Sequence, residues 1–234
     1  MKARAALLLL VTLAFGAAPF LTPPFRGYDP ALFPVNIPRP SIQPAGYAFG
    51  IWSVIYLWLA VHAVTSLWKR AENPVWDRTR LPLALAIALG SAWLSIAPVE
   101  PILATVVIII MAAAALSAFL RADTETDRWL LSAPIAILAG WLSAAAAVST
   151  GVVIAGFGIL TDTASALVMI VATTALAITI QRRKPRMPVY GLTVIWALAG
   201  IVVVNAGLNP TAAIAAGLGI AAMALTLRST SRTA

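Results

Sequence analysis

The sequence predicts an all-α fold, a polytopic transmembrane helix bundle of about eight helices. Three observations carry this. Eight apolar stretches of ~18–24 residues recur along the 234-residue chain, and at 1.5 Å per residue each is long enough to cross a ~30 Å hydrocarbon layer. The stretches are uniformly apolar, whereas membrane strands are ~10 residues with alternating character. Fourteen of the 16 Lys and Arg residues fall in every second connection, as expected when basic loops are retained on one face of a membrane.

The first stretch, about Ala3 to Leu21, follows Met1-Lys2-Ala3-Arg4 and contains Ala17-Ala18. A basic start and small residues after an apolar run are shared with secretory signal peptides. The run is long for such a segment, so it reads as a retained signal-anchor helix. The connection from Thr22 to Pro44 contains Pro23, Pro24, Pro30, Pro34, Pro38, Pro40 and Pro44. Proline at this density excludes a regular helix and predicts an extended segment along the outer surface. The second stretch, Ala45 to Trp68, is aromatic at its start and holds His62, the only histidine. The third and sixth, Leu81 to Pro98 and Ala164 to Gln181, are among the shortest. Glu100, between Pro98 and Pro101, marks a tight hairpin into the fourth, Pro101 to Leu120. The fifth runs from Trp129 to Thr150, and Gly156-Phe157-Gly158 beyond it reads as flexible backbone. The seventh, Met187 to Val204, and the eighth, Pro210 to Leu227, complete the set. The alanine runs 112–115 and 144–147, with Gly217 and Gly219, supply small-residue faces on which helices approach closely in lipid.

Lys2, Arg4, Lys69, Arg70, Arg78, Arg80, Arg121, Arg128, Arg182, Arg183, Lys184, Arg186, Arg228 and Arg232 fall on one side, and only Arg26 and Arg39 on the other. Both termini are therefore expected in the cytoplasm. The bilayer is the expected partner, and a homodimer or a larger membrane complex would use the small-residue faces. The formal charge of +8 is used in topology and does not indicate nucleic acid. The run Arg182, Arg183, Lys184 and Arg186 is a candidate site for anionic lipid headgroups.

Composition narrows the chemistry. With no cysteine, no disulfide, thiolate metal centre or covalently attached c-type haem can form within the chain. One histidine cannot make a bis-His haem site. His62 is expected to pack, bonded to a carbonyl one turn away, with contact to a ligand as the alternative. Asp29, Glu72, Asp77, Glu100, Asp123, Glu125, Asp127 and Asp162 all sit in connections or at helix ends, so the buried carboxylate relay of an ion-coupled pump is not expected. No metal site and no acid, base or nucleophile at enzyme-like spacing is evident, and enzymatic turnover is not expected.

Eight tryptophans remain. Trp68, Trp76 and Trp129 fall at the basic boundary, where an amphipathic indole belongs. Trp52, Trp93, Trp141 and Trp196 fall in the opposite halves of their helices, where flat faces suit either core packing or a planar apolar ligand.

The stretch Pro44-Ala45-Gly46-Tyr47-Ala48-Phe49-Gly50-Ile51-Trp52-Ser53-Val54-Ile55-Tyr56 resembles the second helix of the TspO/MBR family, the tryptophan-rich sensory or translocator proteins. Trp93 stands where that family has a pocket tryptophan, and Pro134 to Ser143, with Trp141, is similar to its fifth helix. The resemblance covers roughly residues 1–150. It implies a protein of the longer bacterial type in the inner membrane, with a five-helix membrane unit over residues 1–160 followed by three further helices over 161–234. It also implies a pocket lined by Tyr47, Trp52, Tyr56, Trp93 and Trp141, with His62 and Trp196 as further candidates. The expected ligand is flat, apolar and non-covalently held, such as a porphyrin, another tetrapyrrole or a sterol-like molecule, in a regulatory or transfer role. The chain departs from the family pattern at Ile37-Pro38-Arg39-Pro40, where loop tryptophans are usual, at Gly90 in place of Asn, and at Val148-Ser149-Thr150 in place of Leu-Asn. An inverted cholesterol-type pattern runs from Arg186 through Tyr190 to Leu192. Two other readings stand beside ligand binding: an accessory or assembly subunit of a photosynthetic or respiratory complex, and a facilitator for a neutral small molecule.

Overall fold

The computed structural model describes residues 1–23, 25 and 27–232, with side chains through residue 230; Arg26 and the Arg232 side chain lie outside this set. Among the described residues eight α-helices form: α1 Lys2–Leu21, α2 Ile51–Trp68, α3 Pro74–Ile96, α4 Pro101–Arg121, α5 Ser132–Gly156, α6 Asp162–Arg183, α7 Val189–Asn205 and α8 Pro210–Arg232. There is no strand among the described residues. Seven of these helices, α2 taken with the turn of 3-10 helix Gly46–Gly50 before it, have the length and apolar composition to cross a bilayer. The eighth, α7, is apolar but shorter at 17 residues.

The short helix is therefore the seventh, not the third or sixth. Helix α3 begins seven residues earlier than its apolar stretch. Asn73 caps it by accepting from the Val75 and Trp76 amides, and Pro74 takes the first position, where its missing N–H costs nothing. The charged turn Asp77-Arg78-Thr79-Arg80 is thus helix, and the helix continues through Pro82. Thr161 starts α6 in a similar way, its hydroxyl accepting from the Ala164 amide.

Helices α1, α2, α5, α4 and α3 close a ring, each touching the next, and α3 returns to α1. On the far side of α5 a second ring runs α5, α6, α8, α7. Shared by both rings, α5 is buried over 72% of its most apolar window, against 28% for α1, α2 and α8. Its small residues make this placement feasible. A Cβ on Gly140 would lie 2.8 Å from the Tyr190 carbonyl oxygen and 2.9 Å from Thr193 Cβ, so α7 approaches α5 at a distance only glycine accepts.

The basic connections gather at one end of the bundle. Ion pairs Lys2–Glu72, Arg4–Asp77, Arg70–Asp127 and Arg186–Glu125 tie the amino terminus and three interhelical connections together there. Arg80 is not a surface charge. It is fully buried and donates to the carbonyls of Ser66, Arg70 and Ala71, the Ser66 hydroxyl and Asp77. It supplies donors to carbonyls that the end of α2 leaves unpaired.

At the opposite end, the long connection is partly buried and not uniformly extended. It makes a turn of 3-10 helix at Pro30–Leu32, capped by Asp29, and inserts Phe33 and Ile42 between helix ends. Backbone bonds from Val35 to Gly156 and from Ala45 to Gly200 tie it to α5 and α7. The Asp162 carboxylate accepts from both the amide and the hydroxyl of Ser41, and the Asn205 amide group donates to the Ser41 carbonyl. Proline excludes a helix, but exposed apolar side chains and free amides find better partners on the bundle than in water.

Candidate functional site

Beneath this strap lies a cavity of about 240 Å³. Helical spacing aims its walls. Trp52 and Tyr56 sit one turn apart on α2, Gly90 and Trp93 on α3, Ile108 and Met111 on α4, and Trp141, Ala144, Ala145 and Val148 on α5. Helices α6 and α7 add Ile170, Val194 and Ile201. The strap closes it with Phe25, Tyr28, Ile42 and Pro44.

The aromatic wall is a connected set. Trp52 and Tyr56 stack at 5.5 Å between centroids, Phe15 meets Trp52 edge-on at 5.8 Å, and Trp52 meets Trp141 edge-on at 6.2 Å. Phe25 from the strap lies edge-on to Trp93 at 4.8 Å. The Trp93 indole N–H donates to the Ala104 carbonyl at 2.9 Å, which fixes its ring between α3 and α4. Gly90, where the family pattern has Asn, lies under Phe15: a Cβ there would sit 2.6 Å from the Phe15 ring. An aromatic ring from α1 thus fills space that a polar side chain on α3 would occupy.

Of the sequence candidates, Trp52, Tyr56, Trp93 and Trp141 meet on this one cavity. Tyr47 does not line it. It is half exposed and packs edge-on against Trp196 at 5.5 Å, while the Trp196 indole donates to the Ala48 carbonyl. These two rings brace the start of α2 against α7. His62 lies toward the basic end of α2. Its Nδ1–H donates to the Leu130 carbonyl at 2.8 Å, from another connection and not from one turn away, and its ring stacks on Trp76 at 5.0 Å. Trp76 is fully buried instead of lying at a lipid boundary, and its indole donates to Asp127. Trp68 and Trp129 are exposed, as a boundary position requires. Trp129 stacks with Trp58, whose indole donates to the Trp129 carbonyl.

Asp127 joins these parts. It has φ of 53°, accepts from Arg70 Nε at 2.6 Å and from the Trp76 indole at 3.0 Å. The Arg70 hydrogen bonds hold its carboxyl below the usual carboxylate range, with the Trp76 bond adding to the effect. In the basic run, Arg182 and Arg183 are exposed, Arg186 pairs with Glu125, and Lys184 donates to the Ala122 carbonyl at 2.6 Å. Partial burial lowers the Lys184 pKa, and Asp123 opposes that shift. Tyr190 is fully buried against Phe119 and within reach of the Ser143 hydroxyl, so the cholesterol-type pattern does not present its tyrosine to lipid. Among the described residues no group of three or more His, Cys, Asp or Glu side chains converges as metal ligands would.

Phe15, Phe25, Tyr28 and Ser149 line the cavity without having been singled out from sequence as ligand contacts. Ser149 falls in the stretch that departs from the family pattern, and that departure was its one signal. Tyr28 carried none, because only folding of the strap brings it to α5.

The architecture defines a class, a polytopic membrane-helix bundle that encloses an aromatic cavity near one membrane face. The chain belongs to the family of TSPO-like proteins, whose model matches residues 36–228. That match runs from the strap into α8 and leaves out α1. No curated protein and no solved structure matches the chain.

Proposed function

We propose that the chain binds a flat, apolar small molecule in the aromatic cavity and acts by holding and releasing it, in a regulatory or transfer role, without chemical turnover. The observation that carries this reading is the wall of Trp52, Tyr56, Trp93 and Trp141 beneath a strap that partly covers it. Aromatic faces without charge favour a planar apolar guest, and water is poorly held at such a surface. The volume of about 240 Å³ falls below the ~300–1,000 Å³ of pockets for drug-sized ligands. A small fused-ring compound matches this volume, whereas a tetrapyrrole or a sterol needs more room than it offers. In this reading the basic end faces the cytoplasm of a bacterial cell, both termini included, and ligand enters from the opposite side.

Titration of protoporphyrin into the purified protein tests the reading. Saturable quenching of tryptophan emission is expected, weakened at least tenfold in apparent affinity by the double substitution Trp52→Phe, Trp141→Ala. Unchanged emission in the wild-type protein, or equal quenching in the variant, would remove tetrapyrrole binding at this cavity.

A further inference from the structure

The cavity wall carries a chain of three hydroxyls whose proton order follows from geometry. Thr105 Oγ1 lies 2.8 Å from the Pro101 carbonyl oxygen and 2.7 Å from Ser149 Oγ, and Ser149 Oγ lies 2.5 Å from the Tyr28 phenolic oxygen. A carbonyl cannot donate, so the single Thr105 proton must lie between it and Pro101; otherwise two lone pairs would face each other at that distance. Thr105 then meets Ser149 only as an acceptor, and Ser149 donates to it. Ser143 and Thr150 on the same helix donate to the Ala139 and Ala146 carbonyls one turn back, whereas Ser149 turns its proton across to α4. With its proton committed, Ser149 accepts from Tyr28. The phenol keeps its proton at neutral pH, because burial raises its pKa above the ordinary phenol value.

Tyr28 and Ser149 both line the cavity. The Tyr28 oxygen therefore offers a lone pair to anything bound there and has no proton to give. The Trp93 indole is committed to the Ala104 carbonyl, whereas the indoles of Trp52 and Trp141 can donate to a guest and the Tyr56 hydroxyl can donate or accept.

We infer that Tyr28 is an acceptor for the ligand: a flat apolar molecule that carries an O–H or N–H gains one hydrogen bond at Tyr28 that the same skeleton with an acceptor alone cannot make there. This rests on the cavity being a ligand site, and it adds a chemical class to that reading. The strap residue is the contact to the ligand, and Thr105 and Ser149 are positioning residues that hold its proton away from the guest.

The test uses two probes of one skeleton, 2-naphthol and 2-methoxynaphthalene, with the full chain in detergent and affinities measured by equilibrium dialysis. The ratio of affinities, naphthol over methoxynaphthalene, is expected to be about three- to tenfold larger in the wild-type protein than in Tyr28→Phe, as for one neutral hydrogen bond. Methoxynaphthalene should bind both alike, which also shows that the variant retains its cavity. In Ser149→Ala the Tyr28 proton is released, so the ratio should fall for a different reason, through tighter binding of methoxynaphthalene. Equal ratios in the wild type and Tyr28→Phe would overturn the inference and leave the cavity as a ligand site. Failure of both probes to bind the wild-type protein would overturn it together with the cavity reading for guests of this size.

Discussion

Replacing Gly140 by alanine tests the packing that makes α5 the shared wall of both rings. The added methyl would meet the Tyr190 carbonyl oxygen at 2.8 Å and Thr193 Cβ at 2.9 Å. The oxygen belongs to the backbone of α7 and cannot rotate aside, so the helices must separate by several tenths of an ångström. Overpacking of this kind costs about 1–3 kcal/mol. Against it stands the gain of about 0.5–1 kcal/mol for exchanging glycine for alanine inside a helix. The net expectation is a loss of up to about 2.5 kcal/mol. Gly217→Ala isolates the second contribution, because Gly217 is also within a helix and a Cβ there meets nothing within 4 Å. Thermal unfolding in one detergent, followed by circular dichroism at 222 nm, should place Gly140→Ala below wild type by up to about 10 °C and Gly217→Ala at or above it. If the two variants shift together in the same direction, the close approach of α5 and α7 does not govern stability and the argument fails.

Two further outcomes follow from the basic end of the bundle. Asp127→Ala removes the acceptor of the buried Trp76 indole and places alanine at a positive φ, so a loss of about 1–3 kcal/mol is expected; Asp127→Asn keeps an acceptor and tolerates that φ, and should cost below about 1 kcal/mol. Because the folded carboxyl titrates below its unfolded value of ~3.9, its contribution is fully present above that pH and is lost as pH falls through the lowered folded value. Melting temperatures of wild type and Asp127→Asn should therefore hold a constant difference from pH 7 to 5 and converge below about pH 4; convergence already at pH 6 would contradict this. The chain has no native cysteine, so single thiols report topology directly. A membrane-impermeant maleimide added to intact cells should label Leu208→Cys and leave Arg78→Cys unlabelled until the membrane is opened; labelling of Arg78→Cys from outside would reverse the orientation.

The bundle was largely legible before folding. Eight apolar stretches and their sorted charges are properties of single segments, each weighed against lipid and water independently of the others. Helix starts were less so. The α3 start was hidden because Asp77, Arg78 and Arg80 look like a loop, yet Asn73 and Pro74 cap a helix there and Arg80 is buried as a donor to the end of α2. The four site tryptophans and tyrosines on the cavity were readable through helical spacing and family likeness. Tyr47 and Trp196 were not separable from them, since the 3-10 turn Gly46–Gly50 rotates Tyr47 away from the face that Trp52 and Tyr56 share.

By itself, the order of residues determined that the chain crosses a membrane as helices and which ends carry positive charge, because hydropathy and charge act segment by segment. Only the tertiary structure decided that α5 stands between two rings, that the proline-rich strap roofs a cavity, and that Tyr28 reaches Ser149 from 121 positions away. Those outcomes depend on which faces meet, and that choice is made by close contacts such as Gly140 against Tyr190 and Gly90 against Phe15, where a single methyl group decides whether two surfaces can touch.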